Sequence, residues 1–206
     1  MIGQFNMVLF QRLYAAGASF VLTMLLGRVL GPAEFGAYAF AMGWLSIGIL
    51  FTPLGFHHFA IRAIPPLIVH DRRNEVAGFM LVSAALTTGL AVTVALVAWA
   101  LLDRLSPGAE PAMNAALGIA LLLLVPMTWN SLRTGFLQGL GHPVAGQVPE
   151  RLVQPTLILL AVAICWAAGV SLSTGSVLLI TLAATVVALV VGLLPLLPAL
   201  RAVWRR

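Results

Sequence analysis

Six long apolar runs, separated by short polar or glycine- and proline-rich stretches, make up almost the whole chain. The first, Met7 to Leu26, is long enough as a helix rising about 1.5 Å per residue to cross a hydrocarbon layer about 30 Å thick. It carries Gln11 and Arg12 near its start. Gly27 to Gly36 is a polar hinge: Pro32 fixes one φ, Gly31 frees the turn before it, and Glu34 complements the positive end of the helix that follows. A helix-to-helix hairpin is predicted there, with a second span from Phe35 to Phe56. Pro53 predicts a bend near its end, and Gly36, Gly43, Gly48 and Gly55 permit close helix contacts.

His57, His58, Arg62, Pro65 and Pro66 lead into His70 to Glu75, the most polar segment, and read as a solvated loop. A third span, Val76 to Leu102, has no charge. Asp103 to Pro111 reads as a short exposed connection. The fourth span runs from Ala112 to Phe136 and turns polar in its second half, at Thr128, Asn130, Ser131 and Arg133. Gly139 to Pro143 ends it, and a polar linker is expected through Gln147, Glu150 and Arg151. The fifth span covers Leu152 to Val170, with Pro155 in its opening turn, where a missing amide hydrogen costs little. A tight turn follows at Ser171 to Gly175, then a sixth span from Ser176 to Leu200. Arginines with Trp204 close the chain, as a membrane interface favours.

Composition turns this pattern into a class. With 61% hydrophobic and 8% charged residues among 206, there is too little polar surface to clothe a water-soluble globule. An all-α polytopic transmembrane bundle is therefore expected. All eleven basic residues are arginine and lie scattered among loops, so the net charge of +5 forms no stripe for nucleic acid. Arg72, Arg73, Arg151, Arg201, Arg205 and Arg206 fall on the side of the termini, against Arg28 and Arg104 opposite, which under the positive-inside bias makes both termini cytoplasmic. The first residues have no positive n-region and no small-residue cleavage site, so the first segment is expected to be retained. Cys165, alone in an apolar run, reads as a small core residue.

Catalytic signatures are weak. Gly17-Ala18-Ser19 and Gly169-Val170-Ser171 lack the second glycine of a nucleophile elbow, His-Glu-x-x-His is absent, and Gly139-Leu140-Gly141 follows no strand. Adjacent His57 and His58 point about 100° apart on a helix and have no third ligand nearby, so no metal and no cofactor is called for. The stronger signal is arginine at membrane depth, where each costs about 2.5–3.5 kcal/mol and is faced inward, paired, or snorkelled to the interface. The candidates are Arg12, Arg62 and Arg133. Asn130, Arg133 and Thr134 share a helical face, and an arginine fork suits the paired oxygens of a phosphate or pyrophosphate. Snorkelling accounts for all three arginines without any ligand.

Gly27-Arg28-Val29-Leu30-Gly31-Pro32-Ala33-Glu34-Phe35-Gly36-Ala37-Tyr38, then Leu54-Gly55-Phe56 and Ala60-Ile61-Arg62, resembles the start of Wzx-type polysaccharide-biosynthesis flippases. These belong to the multidrug/oligosaccharidyl-lipid/polysaccharide exporter superfamily. Phe136-Leu137-Gln138-Gly139-Leu140-Gly141, with Gln147 and Glu150 after it, is similar to that family's inner loop between spans four and five. The resemblance implies one six-helix lobe of a two-lobe transporter that works with a second lobe or a second copy. It also implies the bacterial cytoplasmic (inner) membrane and a polyprenyl-pyrophosphate-linked glycan as substrate, and Arg62 and the Arg133 region match basic positions common in those flippases. With the membrane-depth reading, Arg12, Arg62, Asn130 and Arg133 are expected near the headgroup. The first span lacks the acid typical of the drug-exporting branch, and Gln138 stands where the flippases often carry arginine. A multidrug or small-solute antiporter and a non-transporting scaffold of glycan assembly are the alternative expectations.

Overall fold

The computed structural model describes residues 2–105 and 111–205, with side chains for 6–101 and 113–201. Its helices are α1 (Ile2–Phe51), α2 (Phe56–Val69), α3 (Arg73–Leu105), α4 (Pro111–Gly139), α5 (Pro143–Val148), α6 (Gln154–Ala167) and α7 (Thr174–Arg205). A π turn, Pro149–Val153, joins α5 to α6. No strand occurs among the described residues.

Among the described residues five stretches, not the expected six, are long and apolar enough to cross a membrane: Asn6–Val69, Arg73–Leu101, Met113–Gly139, Pro143–Ala167 and Thr174–Arg201. The expected first and second spans run together in the first of these. Gly31 alone breaks α1, with φ 73° and ψ 172°, and Pro32 already lies in the next helical segment, so no loop residues separate the two. The positive φ is what glycine supplies there without strain. The chain folds back at this point, because Arg12 and His57 line one cleft at the far end from Gly31.

Burial is inverted relative to a water-soluble protein. Gln11, Thr52, Ser83, Thr87, Thr128, Asn130, Arg133, Thr181 and Thr185 are buried, while Phe20, Leu50, Leu81, Ile164 and Leu194 are exposed. The buried hydroxyls need no water. Thr87 donates to Ser83 O at 2.7 Å, Thr128 to Leu124 O at 2.7 Å and Thr185 to Thr181 O at 2.6 Å, each inside its own helix. The apolar exterior is then the surface for lipid.

α4 is the central helix, packed against α1, α2, α3 and α7. Ala41 and Leu45 of α1 meet Leu117, Leu123 and Leu178, and Leu26 and Leu30 meet Ile158, Val162 and Val177. Ala60 and Ile64 of α2 meet Leu132 and Phe136 of α4.

Two expected loops are largely helical, and a third is shorter than expected. The stretch after His57 forms α2 and turns only at His70 to Arg72, although Pro65 and Pro66 lie inside it. Each proline removes one amide donor, but the opposite face, Ala60 and Ile64, is clamped against α4, and packing outweighs the lost bonds. The expected polar linker through Gln147, Glu150 and Arg151 is α5 plus the π turn. Gln147 and Pro149 are buried there, and the Gly146 carbonyl accepts from Thr134 Oγ1 at 3.0 Å, so tertiary contacts override the polar character. The expected turn at Ser171 to Gly175 ends early, because α7 already begins at Thr174. Most of the connection expected at Asp103 to Pro111 lies outside the described residues.

Glu34 explains that early start. Its carboxylate accepts the Thr174 amide hydrogen at 2.7 Å, and Thr174 Oγ1 donates both to the Glu34 carbonyl at 2.7 Å and to its carboxylate. A residue of the hinge thus caps a helix far along the chain. By analogy with a lost N-cap, Glu34→Ala is expected to cost about 0.5–2 kcal/mol, read as a lower midpoint of thermal unfolding in detergent. An unchanged midpoint would remove the hinge-to-α7 lock.

Candidate functional site

At the end of the bundle away from Gly31 the helices part around a cleft of about 450 Å³. α1 supplies Arg12; α2 supplies His57, His58 and Ile61; α4 supplies Ser131, Thr134 and Gln138; α5 supplies Gln147; and the π turn supplies Glu150 and Arg151.

The α2 wall is set by two glycines. A Cβ on Gly135 would lie 2.7 Å from the His57 carbonyl oxygen, and one on Gly139 would lie 2.6 Å from that of Ala60. Only glycine lets the α2 backbone lie directly on α4, the small-xxx-small contact of membrane helices. His57 Nδ1 is 2.7 Å from the Ser131 carbonyl oxygen. A carbonyl only accepts, so Nδ1 carries the proton, and Nε2 is left for another partner. The His58 ring stands edge-on to that of His57, centroids 4.8 Å apart.

Pro149 and Pro155 bracket the π turn, and neither donates an amide hydrogen, so the regular helical ladder is interrupted on both sides. The Gln154 amide bonds back to the Pro149 carbonyl instead. The wider turn brings Glu150 and Arg151 into the cleft wall, consistent with the frequent placement of π turns at functional sites. Thr134 Oγ1 lies 3.4 Å from Glu150 Oε2.

Behind this wall runs a polar seam between α4 and α7. Arg133 is 1% exposed, and its Nη2 donates to Gly146 O at 3.4 Å. Its Nε and Nη1 have no hydrogen-bond partner among the described residues. The guanidinium fills a notch at Gly192, where an added Cβ would be 1.7 Å from Nη1. Asn130 Nδ2 donates to Thr185 O at 3.3 Å, and Gln154 Nε2 to Thr185 Oγ1 at 2.9 Å. Gln11 is fully buried, and both its amide atoms lack a hydrogen-bond partner among the described residues.

Of the four residues predicted from the sequence, Arg12 lines the cleft, Asn130 and Arg133 lie in the seam behind it, and Arg62 is exposed and lines neither. Sequence reasoning missed Glu150, Arg151 and Gln147 by reading them as linker. The signal that could have found them is Pro149 and Pro155 flanking polar residues in an otherwise apolar run. No group of three or more histidine, cysteine, aspartate or glutamate side chains among the described residues could hold a metal ion.

A search of curated proteins and of solved structures finds no significant match. A family model described as polysaccharide biosynthesis protein matches residues 6–206. That match runs from the first helix to the last residue and agrees with the five long apolar helices and the inverted burial, so the chain belongs to the polysaccharide biosynthesis protein family and is a multi-pass membrane protein.

Proposed function

We propose that the chain is a transport lobe of a flippase that carries a lipid-linked oligosaccharide or polysaccharide precursor across the bacterial cytoplasmic membrane. The observation that carries this reading is the cleft, which gathers Arg12, Arg151, His57 and His58 at one end of a bundle with an apolar exterior. A pyrophosphate offers paired oxygens to an arginine fork and acceptors to the N–H groups of the histidine rings, while its polyprenyl tail stays in lipid. Arg12 and Arg151 outweigh Glu150 by one charge, so the cleft has net attraction for an anion.

Asn130 and Arg133 act from behind the wall. A buried cation keeps its field in a low-dielectric surrounding, and Arg133 shares the Gly146 carbonyl with Thr134, a cleft residue. With both termini cytoplasmic, the cleft opens to the cytoplasm, where such precursors are assembled. Rocking against a second lobe or a second copy would re-expose the headgroup outside. Arg62 serves as an interfacial anchor.

In proteoliposomes loaded with a polyprenyl-pyrophosphate glycan, Arg12→Ala and Arg151→Ala are each expected to lower flipping about tenfold, the effect of one charge-assisted contact. Arg62→Ala is expected to change it by less than about twofold. Full flux with both Arg12 and Arg151 replaced, or loss confined to Arg62→Ala, would overturn the assignment of the cleft.

A further inference from the structure

A second recess, unrelated to the cleft, opens where α2 turns into α3. It is about 470 Å³, polar, and lined by Asp71, Arg72, Arg73, Asn74 and Glu75. Arg73 is also a wall of an adjoining groove of about 310 Å³ on the bilayer-facing side, formed by α3, α4 and α7. Val76, Met80, Ala84, Trp129 and Leu200 make that groove apolar. The Trp129 ring is fixed there, because its indole N–H donates to Thr88 Oγ1 at 2.9 Å and that hydroxyl donates to Ala84 O at 2.6 Å.

A charged recess continuous with an apolar groove has the polarity of one phospholipid, headgroup above and acyl chain below. The charges select among headgroups. Arg72 and Arg73 are balanced by Asp71 and Glu75, so the recess carries no net charge and has no general attraction for an anionic lipid. The signs are interspersed: Arg72 pairs with Glu75 and Arg73 with Asp71, each at 2.5 Å. Both carboxylates and Arg72 keep about half or more of their side-chain surface accessible, so each can add a second partner.

We infer that the α2–α3 recess and the α3–α4–α7 groove together bind a zwitterionic phospholipid whose headgroup carries a primary ammonium. The phosphate lies against the arginines, and the ammonium donates hydrogen bonds to Asp71 and Glu75. A quaternary choline headgroup has the same charges but no N–H to donate, and a glycerol headgroup has no cation. One acyl chain occupies the groove over Trp129.

The full chain, purified in detergent and stripped of lipid, is to be titrated with dioleoyl phosphatidylethanolamine, phosphatidylcholine and phosphatidylglycerol, with retained lipid counted by native mass spectrometry. Phosphatidylethanolamine is expected to be retained about tenfold better than either of the others, the factor for one charge-assisted hydrogen bond. Asp71→Asn with Glu75→Gln should abolish that preference while leaving the fold intact, since both side chains are at the surface. Ala84→Trp, which fills the groove, should lower retention of all three lipids. Equal retention of the three lipids, a preference for phosphatidylglycerol, or a preference that survives the double charge variant would each overturn the site. If Ala84→Trp does not fold, the charge variant decides alone.

Discussion

Gly135→Ala is expected to lower stability by about 1–3 kcal/mol, although glycine-to-alanine in a helix interior ordinarily gains about 0.5–1 kcal/mol. The sign reverses because the new methyl would meet the His57 carbonyl oxygen at 2.7 Å, its Cα at 2.9 Å and its carbonyl carbon at 3.1 Å. These are backbone atoms of a neighbouring helix, and no rotamer change removes them. α2 must move away from α4, which opens the Ile64, Leu132 and Phe136 contact and breaks the His57 to Ser131 bond. Gly139→Ala meets Ala60 O at 2.6 Å and should behave alike. Gly43 and Gly89 have nothing within 4 Å of an added Cβ, so their alanine variants should be neutral or slightly stabilising. Thermal unfolding in detergent separates the two classes. Equal midpoints for Gly135→Ala and Gly43→Ala would mean that the α2–α4 contact is not what holds the cleft wall.

The contrast among these glycines marks where the sequence stops being legible. Apolar run length located all but one of the long helices separately, because crossing a membrane requires a run of that length whatever it packs against. The hairpin at Gly31 was legible as chemistry, yet a turn that consumes a single residue leaves no loop to divide the run. α2 and α5 were invisible for the opposite reason. His57, His58, Pro65 and Pro66 in one, and Gln147 in the other, look like loop residues, and only contact with α4 keeps them helical. Gly135 and Gly139 create that contact; their spacing of four marks a close-packing pair, but which helix lies on it is not written locally in the sequence.

The same limit governs the site. Arg12 and Arg133 were legible as costly charges, but which of them faces a cleft depends on helix rotation, which apolar spacing does not specify when the outer surface is as apolar as the core. Inverted burial removes the periodic signal that orients helices in water-soluble proteins. Glu150 and Arg151 reach the cleft through a π turn, a geometry that shifts side-chain facing after Pro149 and that helical spacing alone cannot reproduce.

Arg133→Met is expected to raise stability and lower transport together. The guanidinium is almost wholly buried, makes one long hydrogen bond to Gly146 O, and leaves Nε and Nη1 unpartnered among the described residues. Replacing a buried charged group by an apolar side chain of similar reach is often neutral or stabilising by about 1–4 kcal/mol, because the desolvation penalty disappears. Methionine is unbranched and adaptable enough to fill the notch at Gly192. Flipping, on the proposed function, should fall about tenfold or more, since the cation behind the cleft wall is gone while the fold is firmer. Gly192→Ala supplies the complementary perturbation, because its methyl would occupy the guanidinium's place, 1.7 Å from Nη1. In the native background it should displace Arg133 and destabilise the α4–α7 seam. In Arg133→Met the obstructing group is absent, so the same change should cost markedly less, and the two effects should not add. A lower midpoint for Arg133→Met would show that the guanidinium stabilises the seam, and strict additivity with Gly192→Ala would show that the guanidinium is not what obstructs the notch; a raised midpoint with unimpaired flipping would show that it does not serve the cleft.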